Sequence, residues 1–247
     1  MSRHLPVSLS GALSADLLKR LASPDPDANL DTLVSLDDSD LPLPAGSPGD
    51  ISHRWQDPII EAIVPVGGSV LDLGCGDGKL LARLMKTRQV CAQGVELDQE
   101  AVLRCIERGV PVFHGDLDDG LRGFPDASVD MVILEETLQT LHRPIRVLDE
   151  MLRVGRRSVV SFPNFAHWRV RKAFGLGGRM PVTAALPHLW HNTPNIHLCS
   201  IRDFVDWAVS ADVHILDAYV LADGLARVLR EGDNLTAVEA LFVLDRP

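Results

Sequence analysis

The run Ser69-Val-Leu-Asp-Leu-Gly-Cys-Gly-Asp-Gly78 carries an apolar segment directly into a turn with glycines at 74, 76 and 78. Glycine lets backbone N–H groups approach a ligand closely and takes positive φ without strain, and the helix that follows offers further free N–H donors. That chemistry suits a nucleotide or nucleoside. Two nucleotide-binding turns are excluded by spacing. A P-loop would need glycine at Leu73 and a hydroxyl residue at Leu80. A dinucleotide fingerprint would need glycine at Lys79. What remains is G-x-G-x-G with Asp72 inside the preceding strand. A second apolar run ends in Gly94-Val-Glu96, with Glu96 22 residues beyond Gly74. A carboxylate there suits a ribose diol, because it accepts two charge-assisted hydrogen bonds from neighbouring hydroxyls. A third run ends in His114-Gly-Asp116-Leu117.

The elements that must position these groups follow from periodicity. Strand-length apolar runs at 69–73, 90–96, 110–114, 129–134 and 157–162 alternate with helical patterns at 78–87, 99–108 and 144–153. A helix at 51–64 precedes them, stopped by Pro65 and Gly67-Gly68. Such alternation predicts an α/β fold, doubly wound on a mostly parallel sheet. A helix at 201–210 and strands at 213–221 and 238–244 follow, and these last two are expected to pair antiparallel. The count is seven strands. Residues 163–199 break the alternation and read as an insertion.

The chain has 247 residues and a net charge of −10, but the acidity is local. Seven aspartates and five prolines fall between Ser23 and Asp50, with no Lys, Arg or Glu; without those aspartates the remaining charge is −3. Residues 1–50 therefore read as an acidic, largely disordered leader to a domain at 51–247. Leu9, Leu13, Leu17, Leu18 and Leu21 recur at helical spacing, which fits either a docking helix or a frayed tail. A near-balanced body gives no nucleic-acid footprint. No stretch is long enough to cross a bilayer and none reads as a secretory signal. Four scattered cysteines without a C-x-x-C pair argue for a reducing, cytoplasmic setting.

The glycine turn with Asp72, the acid at Glu96, Asp116 after the third strand and Phe124-Pro-Asp-Ala-Ser-Val-Asp130 before the fourth together resemble class I methyltransferases. The resemblance implies a Rossmann-like sheet binding S-adenosylmethionine or S-adenosylhomocysteine. The residues it assigns to the ligand are Asp72, Gly74, Cys75, Gly76, Gly78, Glu96, Leu97, Asp116, Leu117 and Glu135, with Asp116 at the adenine edge. Methyl transfer needs mainly alignment, so the acceptor site after the fourth strand decides the chemistry. There the chain has Glu135-Glu-Thr-Leu-Gln-Thr-Leu-His-Arg-Pro144, without an N-P-P-[YF] motif. Small-molecule methyltransferases of this fold often carry histidine where Thr140 stands, and His142 lies two residues off. Gln139 is no base. Glu135 and Glu136 have the chemistry of general bases, but one is expected to be solvated and the other to start a helix. No catalytic residue is assigned.

Further segments are more diagnostic. Gly115-Asp-Leu-Asp118, Thr137-Leu-Gln139, Arg153-Val-Gly155, Ser161-Phe-Pro-Asn-Phe165, His167-Trp-Arg-Val-Arg171, Gly178-Arg-Met-Pro-Val182 and Thr193-Pro-Asn-Ile-His-Leu-Cys199 resemble the MetW family of methionine biosynthesis, from about Asp50 into the 200s. Glu135-Glu136 departs from the smaller polar residues expected there. The resemblance implies a partner, homoserine O-acyltransferase (MetX), whose activity the chain would support or regulate, with the adenosyl pocket serving as a sensor or structural site. The insertion carries His167, Trp168, Arg169, Arg171 and Trp190, residue types that favour an interface or a lid. His188, His191 and His197 have spacing that would admit zinc, but only Cys199 is near to complete a site, so no metal is assigned. Asn164 and Asn195 either orient an acceptor or cap turns.

Overall fold

The computed structural model describes residues 15–22 and 54–246. The disorder expected for 23–50 and the start of the helix at 51–53 lie outside the described residues.

The body is one eight-stranded sheet with spatial order β3-β2-β1-β4-β5-β8-β6-β7. Strands β1 (Ser69–Leu73), β2 (Cys91–Glu96), β3 (Val112–His114), β4 (Val129–Glu135) and β5 (Gly155–Pro163) run parallel. Strands β6 (His214–Ala222), β7 (Leu225–Val228) and β8 (Ala237–Asp245) join antiparallel. The expected class holds, with one strand more than the sequence suggested. The extra strand, β7, is only Leu-Ala-Arg-Val, too short to show a period, and Asp223-Gly224 folds it back on β6. Both turn residues have φ above +50°, as a tight hairpin requires.

Central strands face helices on both sides, so alternate residues enter two cores. Val70, Met131 and Ile133 point toward α2 (Asp57–Ile63) and α3 (Lys79–Thr87). Cys105 of α4 (Gln99–Glu107) joins the same cluster. Leu71, Leu73, Val132 and Leu134 point the other way, toward α5 (Pro144–Val154) and α7 (Ile201–Ser210). There the rings of Phe162, Phe204 and Phe242 pack together with centroids 4.6–5.9 Å apart. Helix α1 (Ala15–Ala22) docks on this face against α7, with Leu21 buried and Leu17 and Leu18 half-buried. Of the two readings of the leucine pattern, docking is the one realised over 15–22; Leu9 and Leu13 lie outside the described residues. The insertion contributes α6 (Trp168–Gly175) and otherwise irregular chain, and a single turn α8 (Asp233–Thr236) precedes β8. Among the described residues no helix is long and apolar enough to cross a membrane.

Strand order reverses between β2-β1 and β4-β5. In open α/β sheets ligands bind outside the carboxyl ends of the strands at such a switch point. The glycine turn leaves β1 at that place.

Candidate functional site

Register sets the geometry. Asp72 pairs with Gly94 of β2 and with Ile133 of β4. Glu96 and Glu135, each two residues further on, therefore stand level on the strands flanking β1, with Gly74 between them. Gly74 has φ +75°, and a Cβ there would lie 2.6 Å from Thr137 Oγ1. Gly76 has φ +55°, and a Cβ there would meet nothing within 4 Å. The first glycine is demanded by the protein's own packing; the second leaves open space over the turn.

Glu96 is fixed by backbone. Gly76 N–H donates to Oε2 at 2.8 Å, and Leu97 and Asp98 N–H each donate to Oε1 at 2.8 Å. A carboxylate has about four lone-pair sites, so one on Oε2 stays free toward the cleft. Asp98 caps α4 by accepting from Glu100 and Ala101 N–H, which holds the acidic turn rigid.

A cleft of about 470 Å³ opens over these groups, walled by Asp72, Gly74, Cys75, Gly76, Glu96 and Glu135, within the size range of small-molecule sites. The remaining sequence candidates lie elsewhere. Gly78, at φ +74°, is the N-cap of α3 behind the turn. Leu97 is exposed, and Leu117 is buried in the core shared with α5. Asp116 is exposed, its carboxylate accepting from Asp118 N–H at 2.8 Å to cap the short turn Leu117–Asp119. His142 is also exposed, its backbone N–H bonded to Asp118.

Sequence reasoning missed one wall altogether. Arg54, just before α2, and Asp57, its first residue, also line the cleft. Arg54 donates to Glu135 Oε2 at 3.1 Å, and Arg83 holds Asp57 at 2.8 Å. Nothing local marks Arg54; only the surplus of acids at 135–136 hints that a cation is needed. The expectation that one of that acidic pair is solvated and the other starts a helix is overturned. Glu135 is 9% exposed, and Glu136, half-buried, takes φ +53°. Gln56 Nε2 donates to Glu136 at 3.0 Å and to Glu239 at 3.1 Å, and Trp55 Nε1 donates to Glu239. Burial and the neighbouring charge of Glu239 push Glu136 well up, and burial pushes Glu239 up as well.

Burial also pushes Asp72 up to about 8, with Glu135 adding to it, and Glu135 to about 7 despite Arg54. Glu135 Oε1 is buried and has no hydrogen-bond partner among the described residues. An acid whose folded pKa exceeds its unfolded value stabilises the fold fully below the unfolded pKa and loses that contribution as pH rises through the folded one. For Asp72 the window runs from about 4 to about 8. Its shift corresponds to roughly 6 kcal/mol. D72N should therefore match the native chain near pH 4 and be more stable by several kcal/mol at pH 8, as measured by urea unfolding without ligand. Equal midpoints at both pH values would refute the buried acid.

The insertion does not wall the cleft among the described residues. Ile196 and His197 N–H both donate to Gln139 O, at 2.8 and 3.0 Å, pinning the insertion to the turn after β4. Trp168 is buried on Leu235 with Arg169 and Lys172 over its ring. His167 caps α6, accepting from Arg169 N–H, and burial pushes it down to about 4, so it is neutral. Arg171 Nε donates to Ala166 O at 2.5 Å. Trp190 is 75% exposed. Exposed apolar side chains gather in this segment: Phe174, Met180, Val182, Leu189, Ile196 and Leu198. Phe165, Val170, Phe174, Met180, Pro181 and Leu198 line a groove of about 370 Å³.

Asn164 is resolved as a structural staple. Its Nδ2 donates to Asn234 O and Ala237 O, and its Oδ1 accepts from Ala166 and Ile201 N–H. Buried groups left without such partners are costly. N164A should destabilise by about 3 kcal/mol with ligand binding retained in the folded fraction; an unchanged melting temperature would contradict the assignment. Asn195 has its N–H on Thr193 Oγ1 and lies outside this network. Among the described residues no group of three or more His, Cys, Asp or Glu side chains is placed to hold a metal.

The family described as methionine biosynthesis protein MetW matches residues 54–244. A curated relative, the bifunctional methionine biosynthesis protein MetXA/MetW of Rhodopirellula baltica, is 38% identical over 211 residues. That match covers 81% of this chain and 34% of the relative, so the chain spans about a third of the relative's length. Among solved structures, an S-adenosylmethionine dependent methyltransferase from Mesorhizobium loti aligns with TM-score 0.59 and 15% identity, over 79% of this chain and 100% of that one. The [4+2]-cyclase SpnF aligns with TM-score 0.56 and 18% identity, over 81% and 86%. At these identities the likeness establishes the fold.

Proposed function

The chain belongs to the MetW family of methionine biosynthesis proteins, and on that premise we propose that it binds S-adenosylmethionine or S-adenosylhomocysteine in the cleft over β1 and supports or regulates a homoserine O-acyltransferase partner. The relative from Rhodopirellula baltica, whose name joins MetXA to MetW in a single chain, carries the partner half of this reading. Covalent fusion raises the effective concentration of two modules that act together. A partner surface is available in the insertion, where an apolar groove and Trp190 stand clear of the cleft.

The cleft fits an adenosyl ligand on three observations. Glu96 keeps a free lone pair beside the turn, Gly76 leaves open space above it, and Glu135 presents an unsatisfied buried oxygen at the far end. Glu96 would take the ribose hydroxyls, and Asp72 with Glu135 would face the positively charged end. When bound, the ligand supplies an electrophilic methyl group or, in its demethylated form, none. For a regulatory role the two ligand states must differ in affinity for the partner-bound protein. Fold alone does not dictate methyl transfer.

One observation favours a second reading, methyl transfer to a small acceptor. Glu135 is buried in the cleft with a pKa of about 7, where a general base is most effective. Co-expression of this chain with its homoserine O-acyltransferase decides between them. The preferred reading predicts co-elution as a stoichiometric complex; separate elution together with label transfer from methyl-labelled S-adenosylmethionine to a small acceptor would replace it with the second.

A further inference from the structure

We infer that Glu135, acting with Asp72 at the deep end of the cleft, makes the site select a sulfonium over the corresponding neutral thioether. The inference rests on the cleft being an adenosyl-ligand site, and it names which form of that ligand is the signal.

Register provides the placement. Glu96 and Glu135 stand level on β2 and β4, with Gly74 of the turn between them. Neighbouring strands lie about 4.8 Å apart, so the backbones that carry the two acids are roughly 10 Å apart. A ligand whose ribose is held at Glu96 must carry its sulfur and the chain beyond it across Gly74 toward Asp72 and Glu135. The wall it meets there is short of positive charge. Of the cations lining the cleft, Arg54 already holds Glu135 Oε2 at 3.1 Å, Lys79 pairs with Asp77 and Arg104 with Asp98 and Glu100, while Arg83 behind them is committed to Asp57. Against them stand Asp72, Glu135 and Asp57, which line the cleft, with Glu136 and Glu239 beside them on Gln56.

The second observation is independent of that count. Glu135 is nine-tenths buried, it walls the cleft, and its Oε1 has no hydrogen-bond partner among the described residues. An unpaired oxygen on a desolvated carboxyl is costly to keep and gains from a cation placed beside it. A sulfonium supplies that charge and a thioether of the same shape does not. Because Asp72 and Glu135 hold protons more tightly than ordinary carboxyls, pairing them with a cation also expels protons. The discrimination therefore has a signature beyond affinity.

The test is calorimetric titration of the full chain at pH 7, in two buffers of different ionisation enthalpy. Three probes are compared: S-adenosylmethionine, the amino analogue sinefungin and S-adenosylhomocysteine. The two cations should bind at least about tenfold tighter than the thioether and release more protons. In E135Q the gap should fall below about threefold, with affinity for the thioether nearly unchanged. Equal affinities in the native chain, or a gap that survives E135Q, would overturn the inference while leaving the cleft assignment standing. Failure of all three probes to bind the native chain would overturn the cleft assignment and the inference with it. Should E135Q not fold, the native affinities and proton counts still decide.

Discussion

Gly76→Val should abolish the proposed binding of S-adenosylmethionine, with affinity falling by at least about a hundredfold. Two physical effects act together. Gly76 holds φ +55°, a region that β-branched residues enter only with strain. Its side-chain direction points into open space over the glycine turn, so valine puts methyl groups where ligand atoms must pack against backbone. Its N–H is also one of three that fix Glu96; a shifted turn loses the ribose acceptor as well. Gly67→Val separates strain from site. Gly67 has φ +72° and equally open surroundings, but it lies in the turn before β1, at the opposite end of the strand. G67V should cost similar stability and leave affinity unchanged, as read by calorimetry with circular dichroism as the control on folding. Binding retained in G76V would contradict the cleft assignment.

The second large effect concerns the partner. Phe174→Asp should break co-elution with the acyltransferase, weakening association by about thirtyfold or more, while affinity for S-adenosylmethionine stays as in the native chain. Phe174 is 65% exposed and borders a groove shared with Val170, Met180 and Leu198. Buried aromatic anchors dominate interfaces, at 2 kcal/mol or more each, and a carboxylate there would be buried without a partner. Trp168 is the less informative target. It packs on Leu235, so its loss would damage the insertion itself. Co-elution unaffected by F174D would place the interface elsewhere.

Much of this molecule is legible in its sequence because local rules and global fold agree. The glycine turn, Glu96 and the alternation of strands and helices follow from backbone chemistry and period, and they place Asp72, Gly76 and Glu96 around one space. What was not legible depends on contacts distant in the chain. Arg54 reaches Glu135 across 81 residues, and Trp55 and Gln56 reach Glu239 across more than 180. No periodicity encodes such pairings. Glu135 and Glu136 look like surface acids at a strand end, and only the contacts made by the segment at 54–57 show Glu135 buried and Glu136 half-buried. Asn164 is the reverse case, a residue type that suggests acceptor chemistry but whose four bonds are spent on backbone. The short β7 has no sequence signature because four residues cannot display a period.

The most direct test of the central claim is the rate of the homoserine O-acyltransferase, measured with and without this chain while S-adenosylmethionine is varied. The account predicts a rate that changes when the native chain is added and responds saturably to the ligand, with the ligand response absent in G76V. A rate indifferent to the chain at every ligand concentration would contradict it.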